Sequence, residues 1–197
     1  MFQSAGEGYV EGGNISFSSG WNLLGLVYEP DESKVESVLS DIISDVVSVW
    51  KWTDNTWAVY LPAFEDGGKA YADAKGFILL NKIGGGEGFW VNAMNEYTLN
   101  IGGTVLTDKS IPIKPGWNLV GLKTDQTISV VKLIEGNEDK IMSLWKWKDN
   151  TWAVYLPVYG QDTTEQYAQS KGFEVLTKIN PGEGFWINAK ESIELKD

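Results

Sequence analysis

The chain repeats itself, and any fold proposed for it has to accommodate one pattern twice. Residues 50–62, WKWTDNTWAVYLP, return as 145–157, WKWKDNTWAVYLP, with Thr53 against Lys148 as the one difference. GWNLLGL from Gly20 returns as GWNLVGL from Gly116, and GEGFWVNA from Gly86 as GEGFWINA from Gly182. The offset is 96 residues at the first motif, 95 at the second and 96 at the third, so one deletion and one insertion, assigned to loops, separate the copies. All ten tryptophans fall into matched pairs, which favours a role in the fold. The copies span roughly 9–101 and 105–197. Gly102-Gly103, followed by Pro112 and Pro115, marks a joint, giving units 1–102 and 103–197 of about 95 residues each. That joint is too short for a free linker, so the units are expected to touch.

Local patterns place the motifs. Trp50 to Leu61 alternates around Asp54-Asn55, a turn pair flanked by aromatic and β-branched residues, which predicts a hairpin. With those two residues as the loop, Trp52 faces Trp57, Trp50 faces Val59, and Lys51, Ala58 and Tyr60 take the opposite side. Residues 15–17, 22–27, 89–92 and 97–101 read as further strands. Val35, Val38, Leu39, Ile42, Ile43 and Val46 follow the spacing of one buried helical stripe, with Ser33 and Glu36 as a capping box. A shorter helix is expected over 129–135. Further helical turns over 70–75 and 165–171 end at Gly76 and Gly172. The expectation is an α+β, β-rich chain of two homologous tandem units, each a small twisted sheet or partly open barrel with one amphipathic helix.

Composition narrows the chemistry. Acidic residues number 27 against 16 basic ones, all lysine, for a net charge of −11. That balance opposes a nucleic-acid partner. With no Cys and no His, disulfides, zinc fingers, thiol nucleophiles and Ser-His-Asp triads are excluded. No stretch approaches the ~20 apolar residues of a membrane helix, and Met1-Phe2-Gln3-Ser4 lacks the basic start of a secretion signal. No membrane insertion and no cofactor or metal are expected, and the oligomeric state is left open. Glu29-Pro30-Asp31-Glu32 and Glu65-Asp66 lack the spaced oxygens of a calcium loop and read as solvated faces.

The tryptophans carry the sharpest hypothesis, because indole faces stack on the apolar faces of sugar rings. Small units also use large side chains to fill a modest core. Trp52, Trp57, Trp147 and Trp152, beside the polar turns Asp54-Asn55 and Asp149-Asn150, are the candidate ligand-binding set. Trp21, Trp90, Trp117 and Trp186 lie in apolar strands and are expected in the core. GEGFW has no GK[ST] after it and does not read as a phosphate loop; its glycines supply positive φ or close packing. The acids present in both copies, Asp54 with Asp149 and Glu87 with Glu183, are the only pairs that suggest glycoside hydrolysis, and turn-forming and loop roles account for them.

GWNLLGL, the WKW…W hairpin and GEGFWVNA together resemble a tandem module of bacterial secreted and cell-surface proteins, written GWNL…W…PGxG[YF]W. The resemblance covers nearly the entire chain. Pro181 to Trp186 follows the last motif with Phe for Tyr, while Gly84 to Trp90 lacks the proline. The hairpin also resembles a kelch blade, but two copies do not make a propeller. The module resemblance implies a noncatalytic part for adhesion or structural assembly, extracellular or at the cell surface, whose partners are polysaccharide or other surface proteins. A carbohydrate-binding module using the hairpin tryptophans is the alternative, and a hydrolase the third. At the sequence pI of about 4.5 self-repulsion vanishes. Light scattering is therefore expected to rise as pH falls from 7 toward that value; a flat trace would contradict the charge argument.

Overall fold

The computed structural model describes residues 13–197. The start of the first copy at residue 9 and the Met1-Phe2-Gln3-Ser4 reading lie outside the described residues. The chain is β-rich. Its strands are β1 (Asn14–Phe17), β2 (Gly20–Gly25), β3 (Tyr28–Pro30), β4 (Val46–Thr53), β5 (Thr56–Tyr60), β6 (Ile78–Leu79), β7 (Gly88–Ala93), β8 (Tyr97–Asn100) and β9 (Gly103–Val105). They continue as β10 (Ser110–Ile113), β11 (Gly116–Gly121), β12 (Ile128–Ser129), β13 (Ile141–Lys148), β14 (Thr151–Tyr155), β15 (Glu174–Val175), β16 (Lys178–Ile179), β17 (Gly184–Ala189) and β18 (Ile193–Lys196). Short helices α1 (Val35–Val38), α2 (Lys69–Lys75) and α3 (Val130–Leu133) and the longer α4 (Gly160–Lys171) interrupt them. No helix among the described residues is long and apolar enough to cross a membrane.

Two five-stranded sheets organise the molecule, one in the order β2-β7-β4-β5-β6 and the other in the order β11-β17-β13-β14-β15. Neither closes into a barrel, so of the two forms expected the open sheet is the one found. In both, the last strand joins in parallel after the helix that follows the hairpin. Two-stranded ribbons β1-β8 and β10-β18 flank the sheets.

The hairpin forms as the turn chemistry demands. Asp54 and Asn55 sit at φ 48° and 60°, and Asp149 and Asn150 at 51° and 59°. Positive φ at both central positions is the type I′ geometry that matches strand twist. The register follows, with Trp52 opposite Trp57 and Trp50 opposite Val59.

Each sheet has two unlike faces, because directly opposed residues share a side. On one side of the first sheet Leu24, Phe89, Val91, Val49 and Tyr60 pack under Val35, Val38, Leu39 and Ile42 in a buried core. Phe185, Ile187 and Leu144 do the same beneath Val130, Leu133 and Ile134. On the other side Leu23, Trp90, Trp50 and Val59 stand in one row across the sheet, with Trp52 and Trp57 in the next row toward the turn.

The long first helix is replaced by something shorter. Val35–Val38 is one α-turn, Ser40–Asp45 is a 3₁₀ segment, and Val46 already opens β4. A run rich in Val and Ile loses side-chain freedom in a helix and yields to the strand it feeds. The stripe residues Val35, Val38, Leu39, Ile42 and Val46 nonetheless stay buried. The capping box is absent as well. The Ser33 carbonyl accepts from Ile83 N at 2.9 Å, and Lys34 bridges Lys82 as a strand would. The helix therefore starts after Lys34, without a side-chain cap. Glu36 is used elsewhere: the Tyr60 hydroxyl donates to it at 3.1 Å. In the second half Ser129 does cap, accepting from Lys132 N at 3.3 Å.

The sheets meet at two glycines. A methyl group added at Gly25 would lie 2.7 Å from Gly121 Cα and 2.8 Å from Glu183 O. Gly25 N donates to Gly182 O at 3.0 Å, and reciprocally Gly121 N donates to Gly86 O at 2.9 Å. Leu24 bridges Glu183 and Val120 bridges Glu87 in the same reciprocal manner. The connection goes further: β3 pairs with β9, and Val27 is buried in the second core rather than the first. Gly25→Ala is expected to lower unfolding free energy by about 1–3 kcal/mol through forced separation of the two backbones, read in urea titration. Parental stability in that variant would show that the contact is not tight.

Candidate functional site

All ten tryptophans line one cleft. It has a volume of about 710 Å³, opens to solvent, and is walled almost wholly by apolar atoms. None of the ten is among the buried residues, and Trp21 and Trp117 are 44% and 42% exposed. Phe89 and Phe185, one residue before Trp90 and Trp186 and on the opposite face, are completely buried. This corrects the placement of Trp21, Trp90, Trp117 and Trp186 in the core. Strand alternation already separates Phe89 and Val91 from Trp90, and that parity is the signal in the sequence that assigns Trp90 to a different face.

The cleft is assembled across the two sheets. Trp186 sits with its ring centroid 6.1 Å from Trp52 and 5.7 Å from Trp57, the hairpin pair of the other sheet. Trp90 sits reciprocally 6.2 Å from Trp147 and 5.9 Å from Trp152. Within each sheet Trp21 meets Trp90 at 6.0 Å and Trp117 meets Trp186 at 5.9 Å, both edge to face. Edge-to-face pairs put ring hydrogens on a π cloud and contribute about 0.5–1.5 kcal/mol beyond area burial. Two hydrogen bonds lock the arrangement: Trp52 Nε1 donates to Trp117 O and Trp147 Nε1 to Trp21 O, each at 3.1 Å. Trp50 Nε1 donates to Ser48 Oγ at 3.0 Å, whereas its counterpart Trp145 Nε1 is buried without a partner.

Of the eight candidate residues, Trp52, Trp57, Trp147 and Trp152 line the cleft. Asp54, Asn55, Asp149 and Asn150 are exposed at the hairpin tips. Asp149 and Asn150 border a second, more polar groove of about 450 Å³ that also touches Trp21, Trp147, Ser18 and Asn180. Asp54 instead receives the Lys114 ammonium at 2.8 Å. The hydrogen bond and the charge of Lys114 hold the Asp54 carboxyl below its ordinary value. Trp50 and Trp145 join the cleft through the hairpin face already read from its alternation, whereas Trp21, Trp90, Trp117 and Trp186 were not assigned to it, because their approach to the hairpin pairs depends on contact between the sheets.

The GEGFW carboxylates are tied to loop amides and lysines. Glu87 accepts from Gly84 N at 2.7 Å and pairs with Lys51. Glu183 accepts from Asn180 N at 2.8 Å, pairs with the buried Lys146 at 2.8 Å and reaches Lys148 at 3.2 Å. Burial works to raise the Glu183 carboxyl, but the Lys146 and Asn180 hydrogen bonds and the Lys146 charge outweigh it, and the net displacement is downward. A general acid needs the opposite displacement. Among the described residues no three metal-ligating side chains gather. No family model, curated protein or solved structure matches the chain.

A carboxyl lowered in the folded state stabilises above its unfolded value of about 4.3 and loses that contribution as pH falls through the lowered folded value. Glu183→Gln is therefore expected to melt below the parent at pH 7 and to close the gap as pH drops under about 4. A melting-temperature difference constant across that range would show that the carboxylate charge plays no part.

Proposed function

We propose that this chain is a noncatalytic module of a secreted or cell-surface bacterial protein. In this reading it consists of two tandem α+β units, 1–102 and 103–197, and serves adhesion or assembly by holding its partner in the cleft between them. The observation that carries the proposal is the gathering of all ten indoles around one open cleft in which none of them is buried. Side chains recruited only to fill a core would be covered, as Phe89 and Phe185 are. An apolar concavity of this size with a polar rim is the usual form of a binding site. Repeated use of tryptophan suits a partner that offers flat apolar faces, since the ring gives large contact area for few rotatable bonds.

Carbohydrate is the second reading, favoured by the Asp149-Asn150 tip and the polar groove beside Trp147. Stacking positions a sugar ring, and carboxylate and amide groups then bind its hydroxyls. The hydrolase reading loses support from the carboxylates themselves, because Glu87 and Glu183 are each held by lysine.

The test uses arrayed glycans and immobilised bacterial cell envelopes as probes, with Trp90→Ala and Trp186→Ala beside the parent. Retention of the parent, with a shift in indole emission and at least about a tenfold affinity loss in either variant, is the expected result. A parent that is retained by neither probe and whose emission never moves would reduce the cleft to a joint between sheets.

A further inference from the structure

The two hairpin tips are chemically unequal. Ser18 and Lys114 occupy equivalent places: Ser18 N donates to Asn22 Oδ1 at 2.9 Å, and Lys114 N to Asn118 Oδ1 at 3.0 Å. The amides reply in kind, Asn22 Nδ2 to Ser18 O at 2.7 Å and Asn118 Nδ2 to Lys114 O at 2.8 Å. Only one of the two side chains can reach the opposite tip. Lys114 crosses to Asp54 at 2.8 Å and spans the space between its loop and the first hairpin. Ser18 is too short to do so, and Asp149 has no hydrogen bond or ion pair from its side chain among the described residues. The 450 Å³ groove lies on this unlatched side, with Ser18, Asp149, Asn150 and Trp147 in its wall.

We propose that this unlatched groove is the subsite for a neutral sugar, and that Lys114 closes its counterpart. The inference rests on the carbohydrate reading of the polar groove and names the ligand class. A pyranose has one face of C–H groups and a rim of hydroxyls. Trp147, already fixed through its Nε1 bond to Trp21 O, offers an indole for the first. The Asp149 carboxylate accepts from hydroxyls, and the Asn150 amide both donates and accepts. Both groups stand on a tight turn whose backbone is set by positive φ at both positions, so the main chain needs no rearrangement to present them. The net charge of −11 disfavours uronic-acid and phosphorylated polymers, and the Lys148 ammonium in the same wall, paired with Glu183 at 3.2 Å, opposes a cationic amino sugar, so a neutral ring is the class proposed. The wide cleft, with scarcely a polar atom in its wall, cannot satisfy sugar hydroxyls by itself.

Ser18→Lys rebuilds the missing latch at an exposed position, and Lys114→Ser opens the second groove. The probes are an array of neutral glycans with polygalacturonate as the acidic control, followed by calorimetry on a retained neutral oligosaccharide. The parent should bind a neutral glycan at one site per chain and leave polygalacturonate unbound. Ser18→Lys should lose at least tenfold in affinity with an unchanged circular dichroism spectrum, and Lys114→Ser should gain a second site. Neutral glycans bound equally by Ser18→Lys but lost in Trp90→Ala would place the ligand in the cleft, overturning this inference while leaving the module reading intact. Preference for polygalacturonate, or no neutral glycan retained, would overturn it as well; the module reading then falls only if cell envelopes also fail to retain the parent.

Discussion

Backbone contact between Gly25 and Gly121 is the constraint on which the other features depend. These are the last residues of β2 and β11, the edge strands of the two sheets, and neither position has space for a side chain. Because the edges touch there, each GEGFW loop accepts a backbone hydrogen bond across the joint, and each sheet presents its indole face to the other's hairpin. Moving the edges apart by the width of a methyl group would break the two reciprocal backbone hydrogen bonds first. The hairpin tryptophans would then lose the carbonyls that fix their rings. The cleft is thus defined by backbone, and the indoles inherit its shape.

Partial exposure of so many indoles needs a physical reason. A five-stranded sheet with helices on one side can bury only one face in its own core. The other face must be polar, covered, or functional. Here it is covered incompletely: Leu23, Val59, Leu119 and Val154 form a buried floor, and the tryptophans above them touch edge to face around an open cleft. Large flat rings with few rotatable bonds, held edge to face, keep the cleft's shape, and polar pairs such as Asp54 with Lys114 stand at the hairpin tips.

What could be read in advance follows from the range of the interactions involved. The hairpin was legible, because Asp54-Asn55 and the alternation of Trp50 to Tyr60 are local signals that agree with each other. The β-rich character was legible from the longer strands, but the short strands β3, β6 and β9, each of two or three residues, carry no alternation long enough to read, and the choice between open sheet and partly open barrel rests on pairings remote in sequence. Ser33 with Glu36 had the right spacing for a capping box, yet a pairing with residues 82–83, far along the chain, took the Ser33 carbonyl and left Glu36 to Tyr60. Trp90 and Trp186 were misplaced for a related reason. Alternation separates them from Phe89 and Phe185, but whether that second face is covered or lines a cleft is decided by the other sheet's hairpin, which no local pattern shows. The roles of Gly88 and Gly184, against the carbonyls of Val120 and Leu24, depend wholly on the crossing of the two sheets.

The reciprocity of the contacts has a further consequence within the two-unit reading. Each link from the first sheet to the second has its mate: Gly25 to Gly182 with Gly121 to Gly86, and Trp52 to Trp117 with Trp147 to Trp21. Self-complementary pairing of this kind is what a two-fold dimer of a single unit would use. A dimer of identical chains must carry the same residue at both equivalent sites, so it either latches both hairpin tips or neither. Covalent fusion removes that restriction, and the chain departs from symmetry where Ser18 faces one tip and Lys114 the other. The β3-β9 pairing and the transfer of Val27 into the second core secure the joint independently of the cleft. The cleft walls are thereby free to diverge without the halves coming apart, and the unequal tips are where that divergence alters the chemistry of the surface.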